Sequence, residues 1–232
     1  MPTSAFLERT FRRRTFLRVA GATAASTALV LAGCNSDDNN PTPSTEVSLV
    51  LDGNDNGLLN LAYLLEQLEA TFYQKVVDAF PSDFTAEDKA AFIDLRDHEV
   101  IHREYLKYVL GSNAYDQKTG NLTFTLTSFT FTTRAGVYAA ARTLEDIGVG
   151  AYNGAAKLLS EPAYLVALSK LASVEARHAA FVREQAQAGS FASSDVVGST
   201  GLDTVKTPAE VAALLAPYLP LKLVVDKLTA LS

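Results

Sequence analysis

The chain has 232 residues, and its 48% hydrophobic, 20% charged and 9% aromatic residues are typical of a folded globular protein, which excludes a largely disordered one. The formal net charge is −6, but residues 1–33 contain five arginines and one glutamate, which leaves 15 basic and 25 acidic residues in the rest of the chain. This net charge of −10 argues against nucleic acid or an anionic lipid surface as the main partner.

Residues 1–33 are predicted to be an export signal. An arginine pair within residues 12–18 precedes an apolar run over 19–33, which is shorter than the roughly 20 residues of a transmembrane helix and suits a signal-peptide core. The arginine pattern resembles the twin-arginine export signal. The Leu-Ala-Gly-Cys of residues 31–34 resembles a bacterial lipobox, which implies that Cys34 is lipidated and anchors the mature protein in the cell envelope, on the periplasmic side of a membrane.

Cys34 is the only cysteine, so the domain has no disulfide even in an oxidising compartment. Residues 34–47 are rich in Asn, Asp, Pro, Ser and Thr and are predicted to be a flexible tether, which would hold the domain roughly 20 Å from the membrane. The twin-arginine route exports proteins that have already folded. The prediction is a lipid-anchored domain exported in the folded state.

A turn is predicted at residues 52–57. This stretch mimics the start of an EF-hand calcium loop, but its twelfth position is Tyr63, where the loop needs a bidentate glutamate. We therefore interpret it as a turn before a helix, with Asp55 or Asn56 as the N-cap.

Apolar residues at three- and four-residue steps predict a bundle over residues 48–190, with four long helices. The inner side of the second helix is predicted to carry Phe92, Leu95, Ile101, Tyr105 and Leu106. Residues 112–133 are predicted to be a crossover that lets the second and third helices lie parallel. Residues 121–132 within it alternate apolar and polar residues, which predicts one strand-like piece. Residues 191–232 are predicted to pack outside the bundle, with short helices near 208–216 and 220–231. The four long helices are expected at 58–80, 85–110, 134–159 and 163–188.

The second and fourth helices each contain a Glu-x-x-His motif, formed by Glu99 with His102 and by Glu175 with His178. Residues three apart share one face of a helix, about 4.5 Å apart along its axis, so a carboxylate and an imidazole can reach one metal ion. The first and third helices carry a lone glutamate followed seven residues later by a tyrosine, in the pairs Glu66 with Tyr73 and Glu145 with Tyr152. This order matches the ligand set of di-iron and di-manganese carboxylate bundles.

Four carboxylates and two imidazoles are a suitable donor set for two iron or manganese ions, which favour hard oxygen ligands together with imidazole. Each histidine would bind one ion. Glu99 and Glu175 are the candidate bridging ligands, and Glu66 and Glu145 are the candidate terminal ligands. Without metal, carboxylates at the centre of a bundle would repel one another and lose hydration, so metal binding should stabilise the fold.

An internal repeat supports a pair of similar helical hairpins. The lone glutamates are 79 residues apart and the Glu-x-x-His motifs are 76 residues apart. Glu69 lies one turn from Glu66 and could replace it as a ligand, but the repeat pairs Glu69 with Gly148, which favours Glu66. His98 pairs with Val174, so we interpret it as a surface histidine or as a neighbour of the ligands.

On these residues the chain resembles the bacterial ferritin-like domain proteins, including desiccation-related ones, and more distantly rubrerythrin, ferritin and manganese catalase. The resemblance covers about 58–188, and the six ligand positions match one for one. It implies an all-α ferritin-like four-helix bundle with a long crossover between helices 2 and 3 and a C-terminal helical extension. It also implies two iron or manganese ions that react with oxygen or peroxide. Tyr73 and Tyr152 are then candidates for support of the ligands or for redox chemistry, with plain packing as the other interpretation.

Three functions are compatible with these features. The first is an enzyme that oxidises Fe(II) or removes peroxide at the envelope, with O2, H2O2 or Fe(II) as substrate and a role in oxidative stress. The second is a structural or desiccation-protection module whose metal site is vestigial or only stabilising. The third, iron storage in a shell, ranks last because a lipid tether and a C-terminal extension would obstruct a closed cage. A homodimer is left open, and haem ligated by methionine is excluded because Met1 is the only methionine.

Overall fold

The structure is a computed structural model that describes residues 47–229. The predicted export signal, the lipid-anchor position Cys34 and all of the predicted tether except Val47 lie outside the described residues. Within 47–229, no helix combines the length and the apolar character that a bilayer crossing requires.

Four long helices make up most of the described chain, as the apolar periodicity predicts. In chain order the elements are β1 (Ser48–Val50), α1 (Asp55–Asp78), α2 (Ala86–Leu110), α3 (Asp116–Thr119), α4 (Arg134–Ala156), α5 (Pro162–Ala186), α6 (Pro208–Leu215), β2 (Lys222–Val224) and α7 (Asp226–Thr229). Helix α1 packs closely against α2, α4 packs closely against α5, and α1 also packs against α4. The fold is therefore an all-α bundle of two helical hairpins.

The start of α1 differs from the prediction. Its N-cap is Asn54, whose side chain accepts a hydrogen bond from the backbone N–H of Gly57. Asp55, one of the two predicted caps, instead accepts hydrogen bonds from the backbone N–H groups of Ser160 and Glu161. The reason is tertiary, since the turn before α5 offers unpaired donors that the Asp55 carboxylate can satisfy.

The second and third long helices are parallel, as the long crossover predicts. Arg134, the first residue of α4, binds the carboxylate of Asp88 near the start of α2, with Nε 2.9 Å from Oδ2. The same guanidinium reaches the side chain of Gln185 near the end of α5. The starts of α2 and α4 and the end of α5 therefore meet at one end of the bundle, and Asp55 joins the starts of α1 and α5 at the other.

The crossover over 112–133 contains no strand, so the predicted strand-like piece is wrong. The alternation over residues 121–133 is nevertheless visible in burial, because apolar side chains there are buried or half-buried and polar ones are exposed. Phe129 and Phe131 pack on Phe72 of α1, with ring centroids 5.8 Å and 5.6 Å apart. A period of two is therefore satisfied here by one extended chain on a helical surface, without a neighbouring strand.

On α2, the predicted inner residues are buried or half-buried except Ile101, which is 46% exposed. The buried stripe instead passes through Glu99 and His102 at three- and four-residue steps. Ile101 was wrongly predicted as inner because it follows Glu99 by two positions, which puts it on another face of the helix. The Glu-x-x-His motif thus lies on the buried face of α2, where apolar core residues would otherwise be expected.

After the bundle, α6 forms at the predicted place, but the second predicted short helix is largely absent. Residues 222–224 form β2, which pairs in parallel with β1, and within the described residues a single helical turn, α7, follows. The segment before α6 lies on α4, where the backbone N–H of Lys206 donates to the carbonyl of Gly150 at 2.9 Å. Gly154 permits this approach, because a Cβ there would lie 1.9 Å from the Lys206 carbonyl oxygen.

Arg183 of α5 joins the residues after the bundle to α4. Its side chain is fully buried, with Nη1 2.5 Å from Asp146 Oδ2 and Nη2 2.6 Å from Asp195 Oδ2. Its Nε–H also donates to the Ser190 carbonyl. A buried guanidinium with this many acceptors is a structural anchor and is stable only while all of them remain in place.

Candidate metal centre

All six predicted ligands meet at the middle of the bundle, one or two from each long helix. Each of the four carboxylates is completely buried, and the two imidazoles are nearly so. Because the motif residues continue the buried stripes of their helices, packing the hydrophobic faces together also packs the polar groups together. The residues are Glu66 of α1, Glu99 and His102 of α2, Glu145 of α4, and Glu175 and His178 of α5.

His102 is the centre of the first group of donors. Its Nδ1 lies 2.6 Å from Glu175 Oε1, 3.5 Å from Glu66 Oε2 and 3.6 Å from Glu99 Oε2. These three carboxylates come from three different helices, so the group exists only in the folded bundle.

His178 is the centre of a second group with nearly the same geometry. Its Nδ1 lies 2.7 Å from Glu99 Oε1, 3.5 Å from Glu175 Oε2 and 3.9 Å from Glu145 Oε2. Each histidine therefore makes its shortest contact with the glutamate of the other Glu-x-x-His motif. The donor contacts of the two hairpins therefore correspond in pairs, in agreement with the internal repeat.

Glu99 and Glu175 belong to both groups, and each presents one oxygen to each histidine. Within each group of four residues, the ligand atoms lie within 4.8 Å of one another. Both oxygens of these two glutamates and the Nδ1 atoms of both histidines are buried. None of these atoms makes a hydrogen bond, although the Nδ1 atoms and the carboxylate oxygens lie as close as 2.6 Å. Buried polar atoms seldom lack partners, and these converge on shared points. The donors therefore fit metal ions, and the cluster could bind them.

The electrostatics of the cluster are unfavourable without a cation. Burial, with repulsion from Glu175 second, raises the pKa of Glu66 well above its ordinary value, and burial does the same for Glu145. Burial alone would raise the pKa of Glu99 too, but the two histidines outweigh it and lower that pKa to about 2. Burial thus favours the neutral forms of Glu66 and Glu145, whereas the histidines favour the ionised form of Glu99. A bound cation would favour the ionised form of all three.

Burial alone would lower the pKa values of both imidazoles. The carboxylates around them outweigh this effect, raising the pKa of His178 to about 11 and that of His102 further still. Without metal, each imidazole is therefore a protonated counter-ion to the glutamates. A metal ion must displace that proton to bind Nδ1, which makes metal binding dependent on pH.

Tyr73 and Tyr152 each hold a glutamate of the opposite hairpin. The hydroxyl of Tyr73 donates to Glu145 Oε1, and the hydroxyl of Tyr152 donates to Glu66 Oε1. In both glutamates the other oxygen, Oε2, has no hydrogen-bond partner and belongs to the donor group. The tyrosines therefore orient the two outer carboxylates towards the centre.

The two residues left open by the sequence lie beside the centre. Glu69 is completely buried against Gly148, neither of its oxygens has a hydrogen-bond partner, and it belongs to neither donor group. His98 is exposed, and its Nδ1 lies 2.9 Å from Nε2 of His178. Glu69 lies one helical turn from Glu66, and His98 lies one turn from His102, so the sequence predicted both residues near the centre. This spacing could not predict which of the two would be buried.

A four-helix bundle with a central cluster of buried glutamates and histidines defines a class of proteins that can bind metal ions between their helices. The family model described as "Ferritin-like domain" matches residues 54–188, which is more than half of the chain. The chain belongs to this family. A comparison with curated proteins found no match.

Proposed function

We propose that the chain is an envelope-tethered ferritin-like protein with a carboxylate-bridged dinuclear iron or manganese site, which oxidises Fe(II) or removes peroxide. The observation that carries the proposal is the sharing of Glu99 and Glu175 between two otherwise separate donor groups. Two ions held by two shared carboxylates lie close enough to act on one small substrate together.

Each ion has an equivalent set of protein donors in this proposal. Glu66 and His102 would hold one ion, Glu145 and His178 would hold the other, and Glu99 and Glu175 would bridge them. Iron or manganese in such a site supplies one-electron redox chemistry and a site for oxygen or peroxide.

The protein contributes geometry and protection from water. Tyr73 and Tyr152 fix the outer carboxylates through hydrogen bonds from the opposite hairpin. Phe72 and Phe92 pack against the Tyr73 ring, with centroids 5.1 Å and 5.5 Å away. This apolar shell keeps the cluster dry, which strengthens its electrostatic interactions.

The location is part of the proposal and is supported by sequence alone. The twin-arginine pattern of 12–18 and the lipobox-like residues 31–34 predict export and lipidation of Cys34. The described domain begins with β1 at Ser48, so the tether joins it beside the pair of strands formed with β2. A lipid anchor there would leave the bundle outside the membrane.

The first test is metal analysis of the purified protein, prepared without chelator from cells supplied with iron and manganese. The expected result is about two ions per chain, followed by turnover of Fe(II) with oxygen or of peroxide. Glu99→Ala should lose the bound metal. Glu87→Ala is its matched control, because Glu87 is an exposed glutamate on the same helix as Glu99. A folded protein without bound metal would contradict the proposal and favour a structural or stress-protection role.

A further inference from the structure

The third histidine of the chain is in contact with the metal centre from outside. His98 is on α2 one turn before His102, and its imidazole is exposed to solvent. Its Nδ1 is 2.9 Å from Nε2 of His178, and the two rings are nearly parallel, with centroids 5.1 Å apart. The ring of His102 is farther from it, at 6.4 Å. His98 therefore contacts one of the two ligand histidines by a hydrogen bond.

The direction of this hydrogen bond follows from the orientation of His178. Its Nδ1 faces the carboxylates, 2.7 Å from Glu99 Oε1, so Nδ1 is the atom that would bind a metal ion. A neutral imidazole that uses the lone pair of Nδ1 carries its proton on Nε2. His178 must then donate this proton to His98, and Nδ1 of His98 must accept it. The ring of His98 is thereby in the tautomer protonated on Nε2.

The other ligand histidine has no such neighbour at the corresponding position. The repeat that relates His102 to His178 relates His98 to Val174, whose side chain offers no hydrogen-bond acceptor. Hydrogen bonds to the outer nitrogen of a ligand histidine fix its tautomer and orientation and increase its basicity, and their loss costs 10-fold to 100-fold in metal affinity. The two halves of the centre thus differ in the support of their histidines.

We propose that His98 is a positioning residue that orients His178 and makes the two metal positions inequivalent, with the ion on His178 bound more tightly. The inference rests on the proposed function, since it requires that the centre hold two ions. His98 belongs to neither donor group, so it would act through His178.

Two substitutions separate the hydrogen bond from mere occupancy of the surface. His98→Val removes the acceptor and gives His178 the neighbour that the repeat places at Val174. His98→Asn keeps an acceptor, because the amide oxygen of asparagine lies close to the position of histidine Nδ1. Since the side chain of His98 is exposed, neither change opens a cavity in the core.

The experiment titrates Co(II) into the metal-free protein and follows both heat and the visible absorption of the bound ion. In His98→Val, one binding step should weaken by about tenfold while the other changes by less than about twofold. His98→Asn should restore the affinity of the wild type. In the zinc-loaded protein, nitrogen NMR of the three histidines should show the Nε2 proton on His178 and an unprotonated Nδ1 on His98.

Each remaining outcome decides a different question. If His98→Val binds both ions with the same affinities as the wild type, the inference is overturned and the dinuclear site remains supported. Equal weakening of both steps would overturn it as well, because a general loss of stability does not select one position. A wild-type protein that binds no Co(II) and no zinc would overturn the proposed function, and the inference with it.

Discussion

The two helical hairpins present the same donors to the centre, yet their other residues differ at the positions next to those donors. Helices α1 and α2 carry Glu69 and His98, where α4 and α5 carry Gly148 and Val174. Glu69 fills the space that Gly148 leaves empty, and its Oε1 would lie 3.0 Å from a Cβ placed there. The comparison shows that the approximate symmetry holds for the ligands and is broken around them.

A second difference explains where the residues after the bundle pack. In α4, Gly154 leaves room for the backbone of Lys206 and Gly150 leaves room for its side chain. Helix α1 has Thr71 and Lys75 at the corresponding positions. A side chain at either glycine would occupy the space of Lys206. The small residues therefore direct the C-terminal segment to the second hairpin and leave the first to the crossover.

The largest expected effect concerns the two glutamates that belong to both halves. Glu99→Ala or Glu175→Ala should remove both ions together, because each residue contributes an oxygen to both donor groups. Glu66→Ala and Glu145→Ala should each weaken mainly one ion, since each belongs to one group. Metal content per folded chain measures the difference. Loss of a single ion in Glu99→Ala would contradict the shared roles.

The stability of the metal-free protein should fall as the pH rises from about 5.5 to 8. Burial, which is the largest cause, raises the pKa values of Glu66, Glu69 and Glu145. Their neutral forms therefore stabilise the fold fully below the unfolded pKa, and this stability is lost as the pH rises through the raised values. His178 acts in the same direction. Its carboxylate neighbours outweigh burial and raise its pKa to about 11, so its contribution is fully present below about 6.5 and is lost above that.

Urea unfolding of the metal-free protein at the two pH values measures this effect. Glu99, whose pKa is lowered to about 2, contributes stability above pH 4.5 and loses it only below the tested range. With excess Mn(II) the dependence should reverse, because metal binding displaces protons and tightens as the pH rises. At a Mn(II) concentration 100 times the dissociation constant, binding adds about 2.7 kcal/mol for each occupied site. A metal-free protein that is more stable at pH 8 would exclude this account of the cluster.

The close packing of the C-terminal segment on the second hairpin can be disrupted at Gly154. Gly154→Ala should destabilise the protein by about 1–3 kcal/mol, because the new Cβ would lie 1.9 Å from a backbone oxygen that cannot move without detaching the segment. Gly198→Ala is the control, since a Cβ there meets only an atom 3.9 Å away. Thermal unfolding and limited proteolysis after residue 190 measure the result. Equal stability of the two variants would disprove the close packing.

The smallest expected effect concerns Glu69. Glu69→Gln should stabilise the metal-free protein at pH 8 by on the order of 1 kcal/mol, because it removes a buried group that ionises without a partner among other carboxylates. The difference should shrink as the pH is lowered, since burial raises the pKa of Glu69 and so favours its neutral form, which resembles the amide. Denaturant unfolding at pH 8 and at a lower pH measures it. A variant that is less stable at pH 8 would indicate that Glu69 has a favourable role not expected from its contacts.

Much of the fold was predictable because helices record their environment in a local period. The four long helices, their order and the long crossover follow from apolar spacing. Each Glu-x-x-His motif, whose two polar residues are three positions apart, predicts a buried polar stripe on one face of its helix. Two of the errors have a common cause. Asn54 caps α1, since the carboxylate of Asp55 binds the backbone at the start of α5 in the second hairpin. Residues 222–224 form a strand because they pair with residues 48–50, which are distant in sequence. Local spacing has no information about such contacts.

By itself, the sequence determined which residue types lie on one face of each helix, and so which carboxylates and imidazoles could reach a common point. Tertiary structure alone decided that each histidine makes its shortest contact with the opposite motif, that Glu69 is buried without a partner and that His98 meets His178. The physical reason is that the helical period is set by neighbouring residues along the chain. Contacts across the bundle depend on how whole helices are rotated and packed, which small residues such as Gly148 permit.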